Sequence, residues 1–77
     1  MADFANTLSK LFKDHNFYAV RVAEASGVDR SLLSKVLKNS RPLPYSAFKK
    51  ILNVLNISYE EYDSLLRAYI DEYFGYD

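Results

Sequence analysis

The 77-residue chain has room for one domain, and 49% hydrophobic content with seven Tyr and five Phe gives it the material for a concentrated core. With no Cys there are no disulfides, thiolate zinc sites or thiol nucleophile; no apolar run nears the roughly 18 residues of a membrane span, and no leader-like start is seen, so a cytoplasmic protein is expected. Ten Lys and Arg balance ten Asp and Glu, a neutral total that by itself argues against a nucleic-acid partner.

Two Gly and two Pro in the whole chain favour helices over a turn-rich β architecture. The first predicted helix runs from about Asp3 to His15, with Phe4, Leu8, Leu11 and Phe12 on one stripe beside Ala5. Asn16 can stop it and cap the next helix, about Tyr18 to Ser26, whose buried face is expected to hold Val22, Ala23 and Ser26. Gly27 ends that helix, because glycine adopts the left-handed conformation that reverses a chain. A third helix follows from about Arg30 to Lys38, N-capped by Asp29 and apolar at Leu32, Leu33, Val36 and Leu37. Asn39 is suited to close it in the left-handed region.

Ser40-Arg41-Pro42-Leu43-Pro44 reads as a stiff loop, since each proline fixes its own φ and restricts the residue before it. The fourth helix is expected over about Tyr45 to Leu55, with Phe48, Ile51, Leu52 and Leu55 inward. Ser58-x-x-Glu61 is a capping box that starts a fifth helix over about 59–74. Its apolar positions are Tyr62, Leu65, Leu66, Tyr69, Ile70 and Tyr73, and Gly75 is expected to end it. Nothing alternates with period two, so no sheet is expected. The fold class is all-α, five helices in one domain.

The neutral total conceals an asymmetry. Residues 10 to 50 carry nine Lys and Arg against three acids, a net of +6; residues 51 to 77 carry one base against six acids, a net of −5. Such a split suits a basic working face with an acidic segment elsewhere.

Two short helices joined at Gly27-Val28-Asp29 satisfy the local demands of a helix-turn-helix over about residues 19–38. Ala23 is small where the next helix crosses, Gly27 reverses the chain, Val28 fills the gap, and Leu33 and Val36 pack the second helix on the first. At Val22, Ala23, Gly27, Val28, Leu33 and Val36 the sequence resembles the Cro/C1-type, lambda-repressor-like helix-turn-helix family. The likeness covers roughly residues 4 to 66, including the Arg- and Pro-bearing loop and the Ile57-Ser58 entry to the last helix. Ala19 stands where the family often has Gln, Asn39 stands in place of Gly, and the loop to the fourth helix is shifted by a residue.

The resemblance implies sequence-specific binding of double-stranded DNA by a transcriptional regulator of bacterial or phage repressor type, with helix 30–38 in the major groove. Arg30, Ser31, Ser34 and Lys35 are then the base-contacting candidates, Arg30 and Lys35 through guanine O6 and N7. Tyr18, Ala19 (through its N–H), Arg21, Lys38, Asn39, Ser40 and Arg41 are the phosphate-contacting candidates. Lys49 and Lys50 read equally well as solvated charges.

Part of the aromatic stripe of the fifth helix is expected to pack on the first and fourth helices and close the core, and Tyr59, Phe74 and Tyr76 add aromatic surface beyond what one small core is expected to absorb. Tyr62, Leu66, Tyr69, Ile70 and Tyr73 are the candidate homodimer interface. A two-fold dimer would read a palindromic operator. The lone His15 has no metal-binding companions and reads as a histidine meeting a helix C-terminal dipole. No Gly-rich phosphate loop or nucleophile–base arrangement appears, so no enzyme, cofactor or metal is expected. Two alternatives stand beside the DNA reading: a protein-interaction module using the aromatic last helix, and the DNA-binding domain of a longer regulator.

Overall fold

Several helix boundaries in this chain are set by hydrogen bonds between residues close in sequence. The computed structural model describes residues 4–74, and within them every regular element is a helix. These are α1 (Phe4–His15), α2 (Ala19–Ser26), α3 (Arg30–Leu37), α4 (Tyr45–Val54) and α5 (Tyr59–Phe74). Asp3, the expected first residue of α1, and Gly75, Tyr76 and Asp77 lie outside the described residues.

Three helices end in left-handed residues. Asn16 (φ 58°) and Asn39 (φ 60°) do so without being glycine, and Gly27 has φ 77°. Behind Asn16, the N–H of Phe17 reaches back to the Phe12 carbonyl at 2.8 Å, and the two rings meet edge-on at 5.9 Å. Behind Asn39, the N–H of Ser40 reaches the Lys35 carbonyl at 2.9 Å. Both are helix ends in which the last carbonyls find donors within the turn. Asn16 stops α1 as expected but does not cap α2: Tyr18 holds that position and offers no side-chain hydrogen bond.

The capping box of α5 closes in both directions. Ser58 Oγ accepts from the Glu61 N–H at 3.1 Å, and Glu61 Oε1 accepts from the Ser58 N–H at 3.0 Å. Glu61 Oε2 lies 2.7 Å from His15 Nε2, which ties the end of α1 to the start of α5. His15 also stacks on Phe17, with ring centroids 5.0 Å apart. The histidine therefore has a defined partner beyond the helix dipole expected for it.

The core is made by the predicted stripes. Phe4, Leu8, Leu33, Phe48, Ile51 and Leu65 are fully buried. Helix α1 packs on α3 and α5, and α2 packs on α3 and α4. An aromatic cluster joins the ends of the chain: Phe48 stacks on Tyr69 at 4.1 Å, and Phe4 meets both edge-on at 5.4 and 5.2 Å. Glu72 accepts from the Phe4 N–H at 3.4 Å and steadies the first turn of α1.

Leu43 lies in the segment expected to be a stiff loop, yet it is 1% exposed. Its carbonyl accepts from the Tyr69 hydroxyl at 2.7 Å and its N–H donates to the Tyr73 hydroxyl at 3.1 Å. These two bonds satisfy a buried peptide that would otherwise be costly to bury. Burial, with Tyr73 and Tyr45 nearby, pushes the Tyr69 hydroxyl above its ordinary value, so it remains a donor at neutral pH.

This placement corrects one dimer-interface expectation. Tyr69 is 3% exposed and belongs to the protomer's own core, so it has no surface to offer a second chain. Tyr73 is half-buried and its hydroxyl is engaged by Leu43. The helical period explains the difference: Leu65 and Tyr69 lie on the inner line of α5, whereas Tyr62, Leu66 and Ile70 run beside it and stay partly exposed.

Two expectations follow. Tyr69→Phe strands the buried Leu43 carbonyl and should cost about 1–2 kcal/mol, lowering the melting temperature by roughly 4–8 °C per kcal/mol for a domain of this size; an unchanged melting temperature would show that the bond carries no weight. The Ser58 N–H, then His15, hold the Glu61 carboxyl below its usual value. Its unfolded-state proton is thus bound more tightly than its folded-state one, so it stabilises the fold above about pH 4.5 and loses that effect as pH falls through the lower folded value. Glu61→Gln should flatten the acid limb of a stability–pH profile, and a parallel profile would refute this assignment.

Candidate nucleic-acid interface

The turn between α2 and α3 is built by three local devices. Gly27 turns left-handed, and its N–H and that of Val28 both reach the Ala23 carbonyl, at 2.9 and 3.2 Å. A Cβ on Gly27 would meet nothing within 4 Å, so the glycine is required by its φ and not by crowding. Ser26 Oγ donates to the Val22 carbonyl at 2.7 Å. Asp29 then caps α3, its Oδ1 accepting from the Ser31 N–H at 2.7 Å.

Packing fixes which side of α3 faces out. Leu33 (0% exposed) and Val36 (1%) seat the helix on Val22, Ala23 and Val28. Leu32 and Leu37 are half-buried against the same core, and Ser9 Oγ of α1 donates to the Leu37 carbonyl at 3.3 Å. The remaining face presents Arg30, Ser31 and Lys35 to solvent, with Ser34 half-buried among them.

All four base-contacting candidates line one shallow depression, together with Ala19 and Val20 of α2 and Lys38 at the end of α3. Three of those seven residues are cationic and none is acidic. The depression also receives the N-terminus of α2, which no side chain caps. A helix N-terminus with open N–H groups favours an anion. The start of α3 differs, because the Asp29 carboxylate already occupies it. The uncapped helix start thus lies on α2, and the exposed polar and cationic side chains lie on α3.

These same residues carry a family signature. The helix-turn-helix family model matches residues 19–62, more than half of the chain. The chain belongs to the Cro/C1-type helix-turn-helix family. Neither a curated protein nor a solved structure matches it. As a family of DNA-binding domains, the helix-turn-helix family makes DNA the partner that this domain implies. No helix among the described residues is long and apolar enough to cross a membrane.

The phosphate-contacting candidates divide into three places. Ala19 and Lys38 share the helix-turn-helix depression. Tyr18 (70% exposed) and Arg21 instead line a groove between α2 and the end of α4, with Phe17, Val54 and Leu55. Asn39, Ser40 and Arg41 line a recess beside Pro42, Glu72 and Tyr73. Ser40 uses its own donors inside the fold: its N–H and its hydroxyl both reach the Lys35 carbonyl, at 2.9 and 3.1 Å. Sequence reasoning passed over Val20, which is 41% exposed in the midst of the depression. A signal was there, since Val20 sits next to Ala19 and off the Val22–Ala23–Ser26 stripe.

Proposed function

We propose that the chain binds a specific sequence in double-stranded DNA and acts as a transcriptional regulator of the repressor type found in bacteria and phages. The observation that carries this reading is the single depression that unites Arg30, Ser31, Ser34, Lys35 and Lys38 with the uncapped start of α2. In this proposal α3 enters the major groove, where Arg30 makes a bidentate contact to guanine and Lys35 a point-charge contact. Ser31 and Ser34 donate to or accept from neighbouring bases. The Ala19 N–H and Lys38 hold phosphates and set the register. Tyr18, Arg21, Asn39 and Arg41 serve the backbone on either side, and Ser40 acts by closing α3.

The dimer part of the proposal rests on α5. Tyr62 (40% exposed), Leu66, Ile70 and Phe74 (61% exposed) recur every fourth residue, an apolar line beside Leu65 and Tyr69 that leaves the core toward its C-terminal end, with Leu66 itself packed against the core. The exposed part of that line, Tyr62 and Phe74 with the half-buried Ile70 between them, suits a two-fold contact with a second copy, giving two α3 helices for a palindromic site.

Retardation of random-sequence DNA at low salt, followed by selection of a preferred site, tests the reading. Arg30→Ala should cost about 1–3 kcal/mol on the selected site and relax discrimination at one position. Lys38→Ala should weaken all sequences alike and reduce the salt slope by about one. No retention of any duplex at low salt would end the DNA reading and leave the aromatic face of α5 as the working surface of a protein-interaction module. Sedimentation of the DNA-free protein should give a dimer that Ile70→Asp converts to monomer; a wild-type monomer at high micromolar concentration would remove the dimer from the proposal.

A further inference from the structure

Among the residues lining the depression on α2 and α3, Val20 is the one large apolar side chain. Its neighbours there are Arg30, Ser31, Ser34, Lys35 and Lys38. At 41% exposed it is not needed by the core, whose contribution from α2 comes from Val22 and Ala23. A helix gains nothing from valine at an exposed position, since β-branching restricts the side chain against the preceding turn. What valine does bring is rigidity: on a helix its two methyl groups hold essentially one orientation, so presenting them to a ligand costs little entropy.

The chemistry of the groove supplies a match. Base-pair edges in the major groove present hydrogen-bond donors and acceptors, with one apolar group among them, the 5-methyl of thymine. Arg30, Lys35 and the two serines address the polar edges, and none of them complements a methyl. From this juxtaposition, and resting on the DNA-binding reading above, we infer that Val20 is a specificity-determining residue that packs on a thymine 5-methyl beside the bases read by α3. Helix α2 then contributes to sequence readout as well as to phosphate binding.

The test uses the full chain and a duplex selected from random sequence. Each thymine of that duplex is replaced in turn by deoxyuridine, which removes the methyl and leaves base pairing intact. One position should show a loss of about four-fold with the wild-type protein, the weight of one buried methyl group. Val20→Ala should bind the thymine site more weakly and lose that thymine-over-uracil preference. Val20→Thr keeps the shape of the side chain but turns one methyl into a hydroxyl, and should show a reduced preference. Helix content by circular dichroism should match wild type for both variants. A wild-type protein indifferent to every thymine methyl, or a Val20→Ala variant that keeps the full preference, overturns the assignment while DNA binding stands. Absence of binding to any duplex at low salt overturns the assignment and the DNA reading together.

Discussion

The peptide group of Leu43 is where the two halves of the domain are held together. It lies in the segment that leads from α3 to α4, it is buried, and it can make no helical hydrogen bond because Pro42 and Pro44 flank it. Tyr69 and Tyr73, one turn apart on α5, complete it: the Tyr69 hydroxyl donates to the Leu43 carbonyl, and the Tyr73 hydroxyl accepts from the Leu43 N–H. The ring of Tyr69 at the same time stacks on Phe48 and meets Phe4 edge-on, so one side chain ties the loop, α4 and α1 to α5. Losing the tyrosine pair would leave a buried amide without partners in the loop that follows the helix proposed to read DNA. In a domain of this size, where net stability is a small difference between large terms, that position has little redundancy.

The outer face of α3 is available for a ligand because its inner face and both its ends are already satisfied. Leu33 and Val36 fix its rotation, Asp29 caps its start, and its terminal carbonyls are met by the Asn39 turn and Ser9. Arg30, Ser31 and Lys35 are consequently displayed from a helix with little freedom to rotate, which is the condition for reading groups a few ångströms wide. The Asp29 cap carries a consequence of its own. A carboxylate at the start of α3 stabilises the helix but disfavours a phosphate there, which leaves the open end of α2 as the better anion site.

Most of this fold is legible in the sequence because most of its determinants are local. The capping box Ser58–Glu61, the Asp29 cap, the left-handed Asn39 and the reversal at Gly27 each depend on residues within a few positions, and each forms as expected. The apolar stripes of α1 and α4 identify their buried faces for the same reason. What the sequence conceals is contact across distance. His15 and Glu61 are 46 positions apart, and no periodicity connects them. Leu43 looks like loop because its burial depends on two tyrosines 26 and 30 residues later. The stripe of α5 is too wide to divide by period alone: Tyr69 shares it with Tyr62, Leu66 and Ile70, and only the partner rings of Phe4 and Phe48 set it inside. The candidate site shows the same division: the polar face of α3 follows from the helix-turn-helix register, whereas Val20 joins it only through the crossing of α2 over α3.

The two lines of α5 give the proposed assembly a mechanical basis. Leu65 and Tyr69 lock the helix inward, while Tyr62 and Phe74 stay exposed and Ile70 half-buried on the line proposed to meet a second copy. Because Tyr69 and Tyr73 hold the loop that directly follows α3, a contact made on the outer line of α5 is separated from the DNA-facing helix by one pair of hydrogen bonds and a stacked ring. Close-packed cores transmit displacement instead of absorbing it. In the proposed dimer, the angle between the two α5 helices would therefore set the spacing and tilt of the two α3 helices, and the preferred separation of DNA half-sites would be decided at Leu43.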